Sequence, residues 1–98
     1  GNQATAYQLT KSFNVLGTVA TNADSVKLPA DRQVADEVII VNDGAANAQV
    51  FGYGTDTIDG VATATGVVLT AAKRSSYYVA SITDGVAAWV SNMGVKSA

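Results

Sequence analysis

Short runs of β-branched and aromatic residues, separated by turn signals, constrain this chain more than any other feature. Asp36–Asn42 contains four consecutive β-branched residues, the pattern of a strand buried on both faces. Ser75–Ile82 alternates as a strand does, Asp84-Gly85 supplies a hairpin turn, and Ala87–Asn92 returns beside it. Strands at intervals of about 8 to 12 residues are typical of β-sandwiches and barrels. The chain is therefore predicted to be all-β, a small antiparallel sandwich or barrel, either jelly-roll or immunoglobulin-like, with an N-terminal arm.

The beginning of the chain differs from the rest. Residues 1–23 start with small and polar side chains and contain only short strand-like pieces, so they are predicted to form an N-terminal arm or an edge strand. Residues 24–98 are predicted to form the β domain. An arm of this kind becomes ordered against another subunit or partner. The candidate contact residues for a partner or subunit are Tyr7, Leu9, Phe13, Val15 and Leu16.

Small side chains dominate the apolar composition. The 98 residues include 17 Ala and 14 Val, which predicts a thin core. Charged residues make up 14% of the chain, against about 25% in typical soluble domains. Because charge-poor surfaces favour association, part of the apolar burial is expected to come from partner chains.

The composition also excludes several function classes. The chain has no Cys and no His, which removes the thiol nucleophile, the imidazole base and the usual zinc ligands. A net charge of −2 argues against nucleic-acid binding. No apolar run is long enough to span a bilayer, and residues 1–10 lack the pattern of a signal peptide. We expect no enzyme, with no catalytic residues, and no cofactor, metal site, nucleic-acid partner or membrane partner.

Two carboxylates stand in a turn-like stretch, Asp56–Gly60. Its spacing suggests a calcium loop only weakly, because such loops need alternating ligands and a closing Glu, and the only Glu is Glu37. The favoured interpretation is a solvated turn in which the Asp side chains bond to their own backbone. Weak calcium binding is the alternative.

Four aromatic residues, Tyr53, Tyr77, Tyr78 and Trp89, admit two interpretations. Aromatic side chains near turns can form a platform for sugars. More often they pack in the core and at sheet edges, with one apolar end and one wet end. The packing interpretation is favoured.

The order of these segments resembles that of small β-rich structural proteins of tailed bacteriophages, which occur as capsid decoration (cement) proteins or as modules of tail fibres. In that pattern an Asp-x-Ile-x-Gly turn precedes a strand, and a late Trp strand ends the unit. The similarity covers residues 24–93. The segments that carry it are Ser25–Pro29, Val38–Gly44, Ala48–Phe51, Asp56–Val61, Lys73, Tyr77–Val79 and Ala88–Val90.

The resemblance implies a stabilising role without chemistry. The expected protein decorates the outer surface of the phage head as a homo-oligomer, a trimer at junctions between major capsid subunits. Its expected partners are the major capsid protein and further copies of itself. A receptor- or glycan-binding module of a tail fibre is the alternative, and a structural module outside viruses is a third possibility.

Overall fold

The computed structural model describes residues 3–17, 24–61 and 64–92. Residues 18–23 of the predicted arm and 93–98 of the predicted β domain lie outside these ranges. A three-residue 3-10 helix, Gln3–Thr5, opens the described part of the chain. The strands are β1 (Tyr7–Gln8), β2 (Phe13–Leu16), β3 (Ser25–Lys27), β4 (Glu37–Asn42), β5 (Ala48–Phe51), β6 (Thr57–Ile58), β7 (Val67–Leu69), β8 (Arg74–Thr83) and β9 (Val86–Ser91).

The strands form two sheets. The four-stranded sheet has the order β1-β3-β5-β7, and the five-stranded sheet has the order β2-β4-β8-β9-β6. The all-β prediction is confirmed. Among the described residues, the prediction of antiparallel sheets is wrong for four of the seven strand pairings, because β1 with β3, β2 with β4, β3 with β5 and β6 with β9 are parallel.

The parallel pairs follow from how the chain moves between the sheets. From β1 to β8, each strand lies in the sheet opposite to that of the strand before it. Parallel neighbours need a crossover connection. For β1 with β3 and β2 with β4, the crossover contains a strand of the other sheet. Runs of β-branched residues indicate strands but carry no information about this alternation.

One hydrophobic core joins the inner faces of both sheets. The four-stranded sheet contributes Val26 and Val50, and the five-stranded sheet contributes Ile40, Tyr77 and Trp89. Trp89 and Tyr77 are the largest fully buried side chains of the described residues. Ten of the twelve buried residues in this core of the described chain are aliphatic, and the two aromatic rings add bulk that the Ala- and Val-rich composition lacks.

Strand β4 alternates between two environments. Val38 and Ile40 are buried, whereas Ile39 and Val41 are partly exposed on the opposite face. The prediction that this strand is buried on both faces is therefore wrong. The side chains of β4 therefore alternate between the buried inner face and a partly exposed outer face, as the pleat of a strand requires.

The predicted hairpin is present. Strands β8 and β9 pair in antiparallel register from Tyr77–Ser91 to Thr83–Val86. Asp84 and Gly85 connect them with φ angles of 52° and 78°, the left-handed geometry of tight hairpin turns. Among the described residues, no helix is long and apolar enough to cross a membrane.

Candidate binding surface

The outer surface of the five-stranded sheet carries six aliphatic and aromatic side chains. We call it the apolar face and define it by the outward residues of β2, β4, β8 and β9. Its aliphatic and aromatic members are Phe13, Val15, Ile39, Val41, Tyr78 and Val90. Phe13 and Val15 are 57% and 56% exposed, and Tyr78 is 42% exposed. Contiguous apolar surface of this kind marks interaction sites in soluble proteins.

The strand register arranges these residues in three rows across the sheet. The middle row contains Phe13, Ile39 and Ser76. One flanking row contains Val15, Val41 and Arg74, and the other contains Glu37, Tyr78 and Val90. Each flanking row thus carries one charge, positive in the first and negative in the second.

A shallow groove of about 310 Å³ crosses the apolar face. Glu37 and Arg74 line it together with Phe13 and Ile39. Among the described residues, neither charge forms an ion pair within the chain. The groove therefore presents an acidic and a basic group that are both available to a bound protein.

The outer surface of the four-stranded sheet is different. Its outward positions carry Ser25, Lys27, Gln49 and Val68, which we call the polar face. Phe51 also has outward register, but its side chain is buried. A Cβ atom on Gly66 would lie 2.8 Å from Cδ1 of Phe51, so the backbone at Gly66 lies directly against that ring. Val68, 52% exposed, is the large apolar side chain left on this face.

Asp56 occupies a buried polar site, which corrects the interpretation of Asp56–Gly60 as a solvated turn. Its side chain is 1% exposed, and Arg32 binds both carboxylate oxygens, with 2.7 Å from Nη2 to Oδ1. The backbone N–H of Ala87 donates to Oδ1 at 2.8 Å, and Nε1 of Trp89 donates to Oδ2 at 3.3 Å. Hydrogen bonding to Asp56 raises the pKa of Arg32 above its ordinary value. The carboxylate thus holds β9 against the loop that carries Arg32.

Gly52 allows the turn at Asp56 to pack closely. A Cβ atom at Gly52 would lie 2.6 Å from the backbone oxygen of Asp56 and 2.8 Å from its Cβ. The side-chain amide of Gln3 donates to the carbonyls of Gly52 and Gly54. This turn is therefore fixed from both sides, and no side chain could replace the glycine without displacing backbone.

Asp59 also has a structural role. Its Oδ1 accepts from the backbone N–H of Ser91 at 2.9 Å, and Oδ2 accepts from the Ser91 hydroxyl at 2.6 Å. Its φ of 53° is left-handed, as the Asp-Gly turn signal predicts. Both carboxylates of the stretch are used by hydrogen bonds to β9. In the part of the chain that the structure describes, no cluster of three or more acidic, His or Cys side chains could hold a metal ion.

The four aromatic residues separate into two pairs. Tyr77 and Trp89 are buried in the core, whereas Tyr53 and Tyr78 are about two-fifths exposed. Tyr53 lies beside the guanidinium of Arg32, 5.4 Å from ring centroid to Cζ, and Tyr78 lies on the apolar face. The structure does not bring the four rings together as one exposed platform.

The hydroxyl of Tyr77 is buried without a hydrogen-bond partner among the described residues. Desolvation by burial raises the pKa of Tyr77 to about 12. The ring packs in the core, and the neighbouring Ser75 side chain offsets part of this rise in pKa. This oxygen is a destabilising feature of the core.

The structure distributes the predicted contact residues unevenly. Tyr7 (71% exposed) lies on β1 at the edge of the four-stranded sheet, while Phe13 and Val15 lie on β2 at the edge of the five-stranded sheet. Leu9 is 2% exposed and belongs to the core, so its side chain offers no surface to a partner. Leu16 packs against the core from the inner side of β2.

Sequence reasoning missed Ile39, Val41, Glu37 and Arg74 as surface partners of Phe13 and Val15. The parallel pairing of β2 with β4 brings them together, and two segments so distant in sequence give no local signal of that pairing. Alternation within Phe13–Leu16 was the available sign that Phe13 and Val15 share a face.

The comparisons with known proteins add no relative. No protein-family model, no curated protein and no solved structure matches the chain.

Proposed function

We propose that the protein is a structural virion protein that decorates and stabilises the assembled capsid of a tailed bacteriophage, on the outer surface of the head. The observation that supports this best is the apolar face. The chain already buries a core with Trp89 and Tyr77 at its centre, and Phe13, Val15 and Tyr78 remain exposed outside it. Such leftover apolar area is suited to contact with another protein. The order of the sequence motifs supports the capsid as the setting.

The proposed mechanism is preferential binding to the assembled state. A protein that binds the assembled lattice, and not free subunits, stabilises the lattice by mass action. An oligomer that engages several subunits at once adds avidity without any new kind of contact. Neither step requires a catalytic group, and the buried carboxylate of Asp56 is occupied by Arg32, Ala87 and Trp89.

We interpret the two sheets as a sandwich. Each sheet has its own strand order with two ends, and the core residues of both meet between them. A sandwich leaves two outer faces, and here they differ: one carries Phe13 and Ile39, the other Lys27 and Gln49. In a decorating unit with this asymmetry, the apolar face is the surface suited to contact with another protein, and the polar face is suited to solvent.

The alternative function, a receptor- or glycan-binding module of a tail fibre, has less support. Its aromatic platform would need Tyr77 and Trp89 at the surface, and both are buried. Tyr53 and Tyr78 remain as exposed rings. A glycan array with the intact protein tests this alternative directly, and specific glycan binding would favour it.

The test of the proposed function uses phage particles whose genome encodes this chain. Quantitative mass spectrometry and electron microscopy of purified particles measure its copy number and position. We expect many copies, in fixed ratio to the major capsid protein and on the head. Particles that lack the gene should disrupt at lower temperature than wild type, and purified protein added back should restore their resistance.

A matched pair of variants connects this activity to the apolar face. Val15→Lys places a charge on the apolar face, and Val68→Lys places the same charge on the polar face at almost the same exposure, 56% against 52%. We expect Val15→Lys to lose binding to the particles and Val68→Lys to retain it. A few copies at one vertex or on the tail, or equal binding by both variants, would contradict the proposal.

A further inference from the structure

The charges in the flanking rows of the apolar face indicate which kind of partner binds there. The middle row is apolar at Phe13 and Ile39. The flanking rows differ in charge, since one ends in Arg74 and the other begins with Glu37. The rows of Arg74 and Glu37 therefore lie about 13 Å apart along the strands, the rise of four residues, with the Phe13–Ile39 row between them.

This arrangement is complementary to itself. A two-fold axis in the plane of the interface, running across the strands at the Phe13–Ile39 row, turns a second copy over and reverses its strand direction. The middle row then faces its own copy. Arg74 of one copy then faces Tyr78 of the other, and Glu37 of that other copy lies one strand to the side, about 4.8 Å away; the same contact occurs twice. A guanidinium beside a carboxylate and a tyrosine ring is favourable with both groups.

We infer that the partner of the apolar face is a second copy of this chain, bound face to face across a two-fold axis with Glu37 of each copy diagonally across from Arg74 of the other. The inference rests on the proposed function, since it names the occupant of the same surface. Aligned packing of two sheets through their faces is an ordinary arrangement in β proteins. A two-fold contact of this kind joins identical patches and closes without forming a filament.

The size of the contact sets its strength. The patch measures about 14 Å across four strands and about 13 Å along them, less than the roughly 800 Å² per partner of a standard stable interface. The dimer is therefore weak, with dissociation in the micromolar range or above. On a capsid, such a dimer engages two lattice subunits through surfaces other than the apolar face, so Val15→Lys lowers binding to particles by removing this avidity.

Sedimentation velocity of the purified chain over a wide concentration range tests the inference. The wild type should pass from monomer to dimer as concentration rises. Glu37→Arg and Arg74→Glu each place like charges diagonally across from each other twice, and each should weaken the dimer at least about tenfold. The double variant, Glu37→Arg with Arg74→Glu, restores opposite charges and should recover the wild-type dissociation constant within about threefold. Lys27→Glu, a charge reversal on the polar face, should leave it unchanged.

Recovery by the double variant is the decisive result. Exchanging the two charges restores the attraction only if Glu37 of one copy contacts Arg74 of the other. A protein that stays monomeric at every concentration overturns the inference. So does a trimer, or a dimer that the single variants leave intact. Circular dichroism and thermal melting establish that each variant is folded, and Val15→Lys supplies a second disruption of the same face by another residue.

The outcome separates this inference from the proposed function. Binding to particles by a protein that is monomeric in solution leaves decoration standing and removes the self-contact. A dimer that obeys the charge exchange, but is absent from particles, leaves the self-contact standing and removes decoration.

Discussion

Asp56 and Phe13 occupy surroundings that are the reverse of what their polarity suggests. Asp56 is 1% exposed in the interior, while Phe13 is 57% exposed on the apolar face. The carboxylate is buried because Arg32, Ala87 and Trp89 satisfy its oxygens. The phenyl ring is exposed because its strand is the edge of a sheet whose outer side nothing in the described chain covers. Pairing and strand position, more than residue type, decide burial at these two places.

The largest effect is expected at the buried carboxylate. Asp56→Ala leaves the Arg32 guanidinium and two N–H donors of β9 without their acceptor, and should reduce the free energy of unfolding by about 3 to 5 kcal/mol. Urea denaturation followed by Trp89 fluorescence measures it. Asp36→Ala, at an exposed carboxylate that accepts from the Gln33 N–H, is the control and should lose no more than about 1 kcal/mol. Equal losses of unfolding free energy in the two variants would show that the buried Asp56 carboxylate contributes no more to stability than the exposed Asp36.

The second effect concerns the buried hydroxyl of Tyr77, which has no hydrogen-bond partner among the described residues. The pKa of Tyr77 is about 12 in the folded chain, against about 10 for an unfolded tyrosine. Between these values the unfolded chain releases the proton first, so stability falls as pH rises from 10 to 12, by roughly 2 kcal/mol at pH 12. The wild type should show this loss in denaturation measured at each pH.

Tyr77→Phe sharpens the contrast with Asp56. It removes a buried oxygen that makes no hydrogen bond, so at neutral pH it should leave stability unchanged or raise it by about 1 kcal/mol. The roughly 2 kcal/mol of high-pH loss that Tyr77 contributes should disappear. A strong loss of stability at neutral pH would show that the Tyr77 hydroxyl has a partner in solution.

The smallest effect is expected at the surface. Val15→Lys and Val68→Lys change exposed side chains, and each should alter the free energy of unfolding by no more than about 0.5 kcal/mol. The measurement is the same urea titration. If Val15→Lys unfolds the protein while Val68→Lys does not, the apolar face belongs to the stability of the single chain, and its assignment as a binding surface fails.

Local signals in the sequence predicted local structure well. Ser75–Ile82 is observed as Arg74–Thr83, Ala87–Asn92 as Val86–Ser91, and Asp84-Gly85 forms the hairpin turn. Each depends on neighbours in sequence, through alternation and the left-handed tolerance of Asp and Gly.

The same local signals did not predict the contacts between residues that are distant in sequence. The burial of Asp56 depends on Arg32, 24 residues away, and the apolar face depends on the parallel register of β2 with β4. A carboxylate in a turn gives no sign that a guanidinium will reach it. Four β-branched residues in β4 likewise cannot indicate whether their outer side is covered. The Glu37–Arg74 pattern therefore became visible only with the strand order.

The alternation of the chain between the two sheets has a consequence for any attempt to divide the molecule. Because successive strands up to β8 belong to opposite sheets, no single cut in the chain yields a fragment that contains one whole sheet and leaves the other intact. Neither sheet is formed by one continuous segment of the chain, so we expect the two sheets to unfold together. The two outer faces therefore keep a fixed relation to each other as long as the chain is folded.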